Sequence, residues 1–258
     1  MKKKKENPIE ERLKKNLEYL KLPKVLEIYS PYCERASREN LSHLTFLDQL
    51  ISEEVAAKFE RRIALLMRRA KLPVKKTLDV YDFNFPKKIP KSKVLRLADL
   101  TFVQEKKNAI LLGPPGTGKT HLALALAHRA CEQGIHTRFA TAIEIVNELS
   151  ASMADVSFLR CLSRFLKPAL LVIDELGYLP IDKQGADLLF QVISGRYERG
   201  SILLTTNRFF KHWGKIFNND NTVAAAVVDR LLHHAEVISI DGKSYRTGGD
   251  DPEQMCEA

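Results

Sequence analysis

The sequence predicts an α/β fold, a parallel sheet flanked by helices, with a small helical domain in front of it. Three observations predict this. From Asn108 onward, short apolar runs of four to five residues alternate with amphipathic stretches, as strands do when joined by helical crossovers. Before that point apolar residues recur at helical spacing, with no strand pattern between them. The charge balance also changes there. Residues 1–107 hold 26 Lys+Arg against 15 Asp+Glu, whereas the rest hold 15 against 17.

Taken in order, Leu17, Leu20, Leu22, Val25 and Leu26 predict two short helices broken near Pro23. Leu47, Ile51, Val55, Phe59 and Ile63 recur every fourth position, with Leu44, Leu50 and Leu66 widening the same face. They predict a long helix whose apolar side is core between helices. Thr45 and Asp48 resemble a capping arrangement at its start, and Pro73 closes it. From Lys71 to Lys93, prolines 73, 86 and 90 stand among lysines and suggest an extended connector, followed by a helix over 91–104. Strands are expected at 109–112, 138–140, 169–173, 202–205 and 237–240, and helices at 119–133, 142–152, 184–198 and 222–233. Gly134 sits where a helix stop belongs. The expected organisation is a helical N-terminal domain (1–72), a basic connector and helix (73–107), an α/β domain (108–246) and a flexible tail (247–258). With 18 residues after Ile240, no C-terminal lid domain is expected.

Composition narrows the class. The chain has 258 residues, 45% hydrophobic and 28% charged, which excludes a disordered or collagen-like chain and permits a large core. Cys33, Cys131, Cys161 and Cys256 are widely separated, without a zinc-binding spacing, as in a reduced cytoplasmic protein. No apolar run reaches membrane-spanning length, and Glu6, Asn7 and Pro8 follow the basic start where a secretory signal would turn apolar. His233 and His234 are adjacent and cannot share one helix face, which argues against a metal site there. Trp213, the only tryptophan, belongs to an aromatic loop that reads as a small satellite core.

The chemistry-bearing residues come next. Gly113, Pro114, Pro115, Gly116, Thr117, Gly118, Lys119 and Thr120 match GxxxxGK[ST] between an apolar strand and a helix. Glycines let backbone N–H groups curl round phosphate oxygens, and the helix turns its positive end toward them. Lys119 then supplies a cation at the β/γ-phosphates, and Thr120 a hydroxyl for Mg²⁺. Further on, an apolar strand ends in Asp174 and Glu175. Asp174 is placed to hold the Mg²⁺ shell and Glu175 to polarise a water, which favours hydrolysis over transfer to a small acceptor. A third strand ends in Thr206 and Asn207, either of which would reach the same phosphate and water.

These motifs, with Val172 to Tyr178, Arg196 to Ser201, Thr205 to Arg208, Asp229 to His234 and Ser244 to Arg246, resemble the IstB family of AAA+ ATPases, related to DnaC and DnaA. The resemblance reaches upstream through residues 66–85. It implies an AAA+ ATPase that uses ATP and Mg²⁺ to assemble as a homo-oligomer on duplex DNA during insertion-sequence transposition. It also implies DNA remodelling, with recruitment and stimulation of a transposase encoded by the same element. By position, the sensor-1 role falls on Asn207 and the arginine finger on Arg230, with Arg196 as second choice; Arg246 is a weak stand-in for a lid-borne sensor.

Residues 61–107 carry 14 basic against 4 acidic side chains, a concentration that points to a polyanion. Arg61, Arg62, Arg68 and Arg69, one heptad apart on one helix, and Lys71, Lys75 and Lys76 are the expected DNA contacts, made to phosphates rather than bases. Three rival readings remain at this level. They are a DnaC-like loader of a replicative helicase, a metabolite kinase using the same phosphate loop, and a protein-interaction module with incidental charge.

Overall fold

Asn7 opens the first helix, α1 (Pro8–Tyr19), by accepting the Ile9 N–H at 3.1 Å, with Pro8 at the first position where no N–H is needed. The computed structural model to which this helix belongs describes residues 7–85, 88–154 and 157–245. Its chain divides into two units between Ala64 and Leu65. That division falls inside one helix, whereas the sequence reading placed boundaries at 72 and 107.

In the first unit, α2 (Pro23–Glu39) has no side-chain cap of its own. Its first N–H groups, from Lys24 and Val25, instead donate to Glu54 Oε2 at 2.8 and 3.0 Å. Glu54 belongs to α3 (His43–Ala70) and is buried, and its other oxygen accepts from Arg61 at 3.0 Å. A buried carboxylate is thereby satisfied at both oxygens. Leu17, Val25 and Leu50 form the small core. Ser42 caps α3, accepting the Thr45 N–H at 3.1 Å, so the cap lies upstream of the expected Thr45 and Asp48.

The apolar stripe of α3 requires a correction. Leu44, Leu47, Ile51, Val55 and Phe59 are exposed, Val55 by 61%, and do not form the expected interhelical core. The two short helices cover only the side of α3 that carries Leu50 and Glu54. A period of four also drifts across the helix surface, so the stripe leaves the covered side.

In the second unit, Lys71 is left-handed (φ 54°) just past α3. The following segment is not a free connector: Leu72, Leu78, Phe83 and Ile89 pack on the core and Tyr81 is buried in it. The single helix expected over 91–104 is two, α4 (Lys91–Ala98) and α5 (Thr101–Gln104). Leu100 turns left-handed between them (φ 59°) and is fully buried.

Strands β1 (Asn108–Leu112), β2 (Thr137–Thr141), β3 (Leu170–Leu176), β4 (Ser201–Thr206) and β5 (Ala235–Ser239) form a parallel sheet in the order β2-β3-β4-β1-β5. In register, Ile110 lies beside Leu204 and Val237, and Val172 beside Phe139 and Leu203. Each central strand is apolar on both faces, as a sheet covered on both sides requires. Ala109, Leu111, Val172 and Leu203 meet α6 (Lys119–Glu132) and α4 on one face. Ile110, Ile173 and Leu204 on the other meet α7 (Ala142–Met153), α8 (Phe158–Leu166), α9 (Lys183–Arg196) and α10 (Asn221–Leu232). Helix α8 was not anticipated; it buries only Cys161 and Phe165 and has no side-chain cap. Trp213 is fully buried in the main core, its Nε1–H donating to Arg208 O at 3.0 Å.

Candidate functional site

Because β1, β3 and β4 are neighbours or next neighbours and all run the same way, the turns after them open at one edge of the sheet. A cleft of about 560 Å³ lies there. It is lined by Gly116, Thr117 and Gly118 from the turn after β1, Lys119 and Thr120 at the start of α6, Glu175 near the end of β3, and Thr205 and Thr206 at the end of β4 with Asn207 just past it. Gly113, Pro114 and Pro115 complete the loop outside the lining, and Asp174 lies just beneath it, buried.

The loop is shaped by its glycines. Gly118 is left-handed (φ 85°), and a Cβ there would sit 2.7 Å from the Tyr81 ring. At Gly113 a Cβ would come within 2.2 Å of the Ile240 carbonyl, so the loop can pass β5 only with hydrogen at that position. Pro114 O accepts from Thr117 Oγ1 at 2.9 Å and from Lys119 Nζ at 2.6 Å, which folds the lysine back over the loop. Helix α6 begins at Lys119, so its first N–H groups face the cleft. Curled amides, a helix N-terminus and a buried lysine fit a polyphosphate.

Behind the loop, Asp174 Oδ1 accepts from Thr120 Oγ1 at 3.1 Å and from Thr205 Oγ1 at 2.5 Å. Burial holds the Asp174 carboxyl above its usual range, against the pull of both threonine hydroxyls, the Glu175 amide and the Lys119 charge. A buried, hydroxyl-flanked carboxylate with that penalty is a hard oxygen site that fits Mg²⁺. Glu175 follows in a left-handed conformation (φ 61°) where β3 shifts register against β4, its N–H donating to Thr205 Oγ1 at 2.9 Å. Such strain in a non-glycine residue is a feature of functional sites. Across the cleft, Asn207 Oδ1 is buried without a hydrogen-bond partner among the described residues.

The third strand differs from the sequence reading in detail. Thr206 Oγ1 is used locally, accepting from Arg208 N at 3.1 Å, and it is Thr205 that reaches Asp174. Thr205 was missed, although a hydroxyl inside a wholly buried strand must find a partner. Tyr81 was missed too. Its hydroxyl donates to Thr117 O at 3.3 Å, and burial, then Asp82, pushes its pKa up to about 12. Tyr245 also lines the cleft; its N–H donates to Gly116 O at 2.9 Å and its ring meets Phe85 edge-on, with centroids 4.7 Å apart. Arg246 and the expected tail lie outside the described residues.

The arginines separate clearly. Arg230, on α10, does not line the cleft; its Nη1 donates to Ala226 O at 2.9 Å and its guanidinium lies 5.0 Å from the Phe190 ring centroid. Arg196, the second choice for the finger, is excluded by burial. It is 1% exposed and donates to the carbonyls of Phe165, Leu166, Pro168, Ala169 and Ser201.

Among the expected DNA contacts, Arg62, Arg68, Arg69 and Lys75 are exposed. Arg61 is paired with Glu54, and Lys71 meets Glu148 at 3.3 Å. Lys76 lines the nucleotide cleft instead of joining the others. Among the described residues no helix is long and apolar enough to cross a membrane.

The family model described as IstB-like ATP binding protein matches residues 15–250. The ATP-binding protein of insertion sequence IS5376 from Geobacillus stearothermophilus is 40% identical over 92% of this chain and 94% of its own. That of insertion sequence IS21 from Pseudomonas aeruginosa is 38% identical over 83% and 80%. Among solved structures, the DnaC helicase loader superposes with a TM-score of 0.52 at 24% identity, over 64% of this chain and 96% of that one. DnaI gives 0.55 at 22%, over 64% and 91%. These two likenesses concern the fold alone.

Proposed function

Since this chain belongs to the family of IstB-like ATP-binding proteins and is an AAA+ ATPase associated with insertion sequences, we propose that it is an ATP-dependent helper of transposition. In this reading it assembles on duplex DNA, remodels it, and recruits or stimulates the transposase of the same element. The observation that carries the hydrolytic part is Glu175, left-handed beside Asp174 near the end of β3 and lining the same cleft as Asn207, whose Oδ1 has no hydrogen-bond partner among the described residues.

The loop from Gly113 to Thr120 holds the phosphates, and Lys119 leaves Pro114 O to meet the β/γ-phosphate oxygens. Thr120 and Asp174 would hold Mg²⁺, which would supply positive charge to offset that of the phosphates. Glu175 draws a proton from the attacking water, and Asn207 orients that water by accepting or donating one hydrogen bond. Arg230, half-buried but outside the cleft of its own chain, serves a neighbouring copy by stabilising the charge of the transferring phosphoryl group. Exposed Arg62, Arg68, Arg69 and Lys75 track DNA phosphates without reading sequence.

The test is nucleotide-dependent assembly on duplex DNA, followed by electron microscopy and sedimentation. Wild-type protein should assemble with ATP, and Lys119→Ala should fold yet fail to bind nucleotide or assemble. Assembly on DNA that is indifferent to nucleotide would overturn the coupling. Capture of a replicative helicase in place of a transposase would favour the loader reading.

A further inference from the structure

A second cluster of metal-binding side chains lies outside the nucleotide cleft, where α9 and α10 both end. Helix α10 stops at Leu232, and His233 is its C-cap. The rule that adjacent helical residues point apart therefore does not govern His233 and His234, whose ring centroids are 4.0 Å apart. Glu198 joins them from just past α9, held left-handed (φ 57°). One ligand atom from each of the three lies within 4.8 Å of the others, and all three residues are exposed.

We infer that Glu198, His233 and His234 form a binding site for a divalent transition-metal ion of the zinc class. Two imidazoles and one carboxylate are borderline donors that suit Zn²⁺, and three protein ligands leave a coordination position for water. Bonds of about 2.0–2.2 Å to nitrogen and oxygen require the ligand atoms to close from their present separation by a small rotamer adjustment. Tyr197 already orients one ligand: its hydroxyl lies 2.7 Å from His233 Nδ1, the kind of outer contact that fixes ring position and tautomer in metal sites. The carbonyl ends of α9 and α10 also converge here and favour a cation. The site lies just past the end of α10, three and four residues after Arg230 in the chain. It does not depend on the proposed role in transposition.

The experiment is titration of the full, tag-free chain with Zn²⁺ against a chromophoric indicator, in excess Mg²⁺ and without nucleotide. X-ray absorption at the zinc edge then reads the donors. One ion per chain with nitrogen and oxygen donors is expected. His234→Ala and Glu198→Gln should each weaken binding tenfold or more, while His212→Ala leaves it unchanged. All are exposed positions, and circular dichroism checks that each variant folds. Absence of binding, sulfur donors that would point to exposed Cys33, or unaltered affinity in both His234→Ala and Glu198→Gln would overturn the site.

Discussion

Replacing Arg196 by Ala separates a structural arginine from a catalytic one. Its guanidinium donates to five carbonyl oxygens at 2.7–3.3 Å, in the bend between α8 and β3 and at the start of β4. Burial draws its pKa down to about 10, so it remains a cation at neutral pH. A hydrogen bond to a charged group contributes about 1.5–3 kcal/mol, and such bonds do not add fully. Ala169 O keeps a second partner, the Ser201 N–H at 2.9 Å, so its loss is the smallest. Truncation leaves no buried charge but strips several buried carbonyl oxygens of their donor at about 1–3 kcal/mol each, less than additively, for a loss of about 3–5 kcal/mol. For a unit of this size that lowers Tm by roughly 6–20 °C. The assay is calorimetric or circular-dichroism melting, with ATP hydrolysis measured below the transition. A variant that melts like wild type, has lost hydrolysis, and regains it when mixed with Lys119→Ala subunits would show Arg196 acting on a neighbour. The structural reasoning would then fail.

Arg230→Ala should behave in the opposite way. It should melt like wild type and bind ATP, yet lose DNA-dependent hydrolysis and recover part of it in mixtures with Lys119→Ala; mixtures without any recovery would remove it from the finger role. Glu175→Gln should retain nucleotide binding and cut turnover by about 10²-fold or more, and unchanged steady-state hydrolysis would place the water-activating group elsewhere. Asp174→Asn tests the buried carboxylate by pH. Since folding raises the Asp174 pKa, its contribution to stability is complete below the unfolded value and is lost as pH rises through the folded one. At neutral pH the nucleotide-free variant should therefore melt no lower than wild type, an advantage that fades on acidification, while the Tm gain from Mg²⁺ and ATP disappears. A variant that melts well below wild type at neutral pH would contradict this. Arg68→Ala with Arg69→Ala should weaken binding to unrelated duplexes alike and flatten the salt dependence by roughly 1–2 log units per log of salt; an unchanged slope would turn these arginines toward protein.

The phosphate loop, the acidic pair and the five strands were legible in the sequence because each is contiguous and sits at a change of local pattern. A glycine-rich turn between an apolar strand and a helix needs no distant residue to define it, and strands buried on both faces announce themselves as apolar runs. Tertiary structure alone decided the rest, because the deciding partners are far apart in the chain. Thr205 rather than Thr206 supports Asp174, 31 residues away, and only the pairing of β3 with β4 sets which hydroxyl faces the carboxylate. The proline-rich stretch before β1 reads as a linker by composition, yet Tyr81 packs on Gly118, and its docking encloses the nucleotide cleft. Arg196 looks like any arginine until five carbonyls converge on it. The apolar stripe of α3 has the spacing of a core face, but spacing reports only which residues share a side. Whether that side is covered depends on the length and placement of its neighbours, and here the short helices α1 and α2 cover another one.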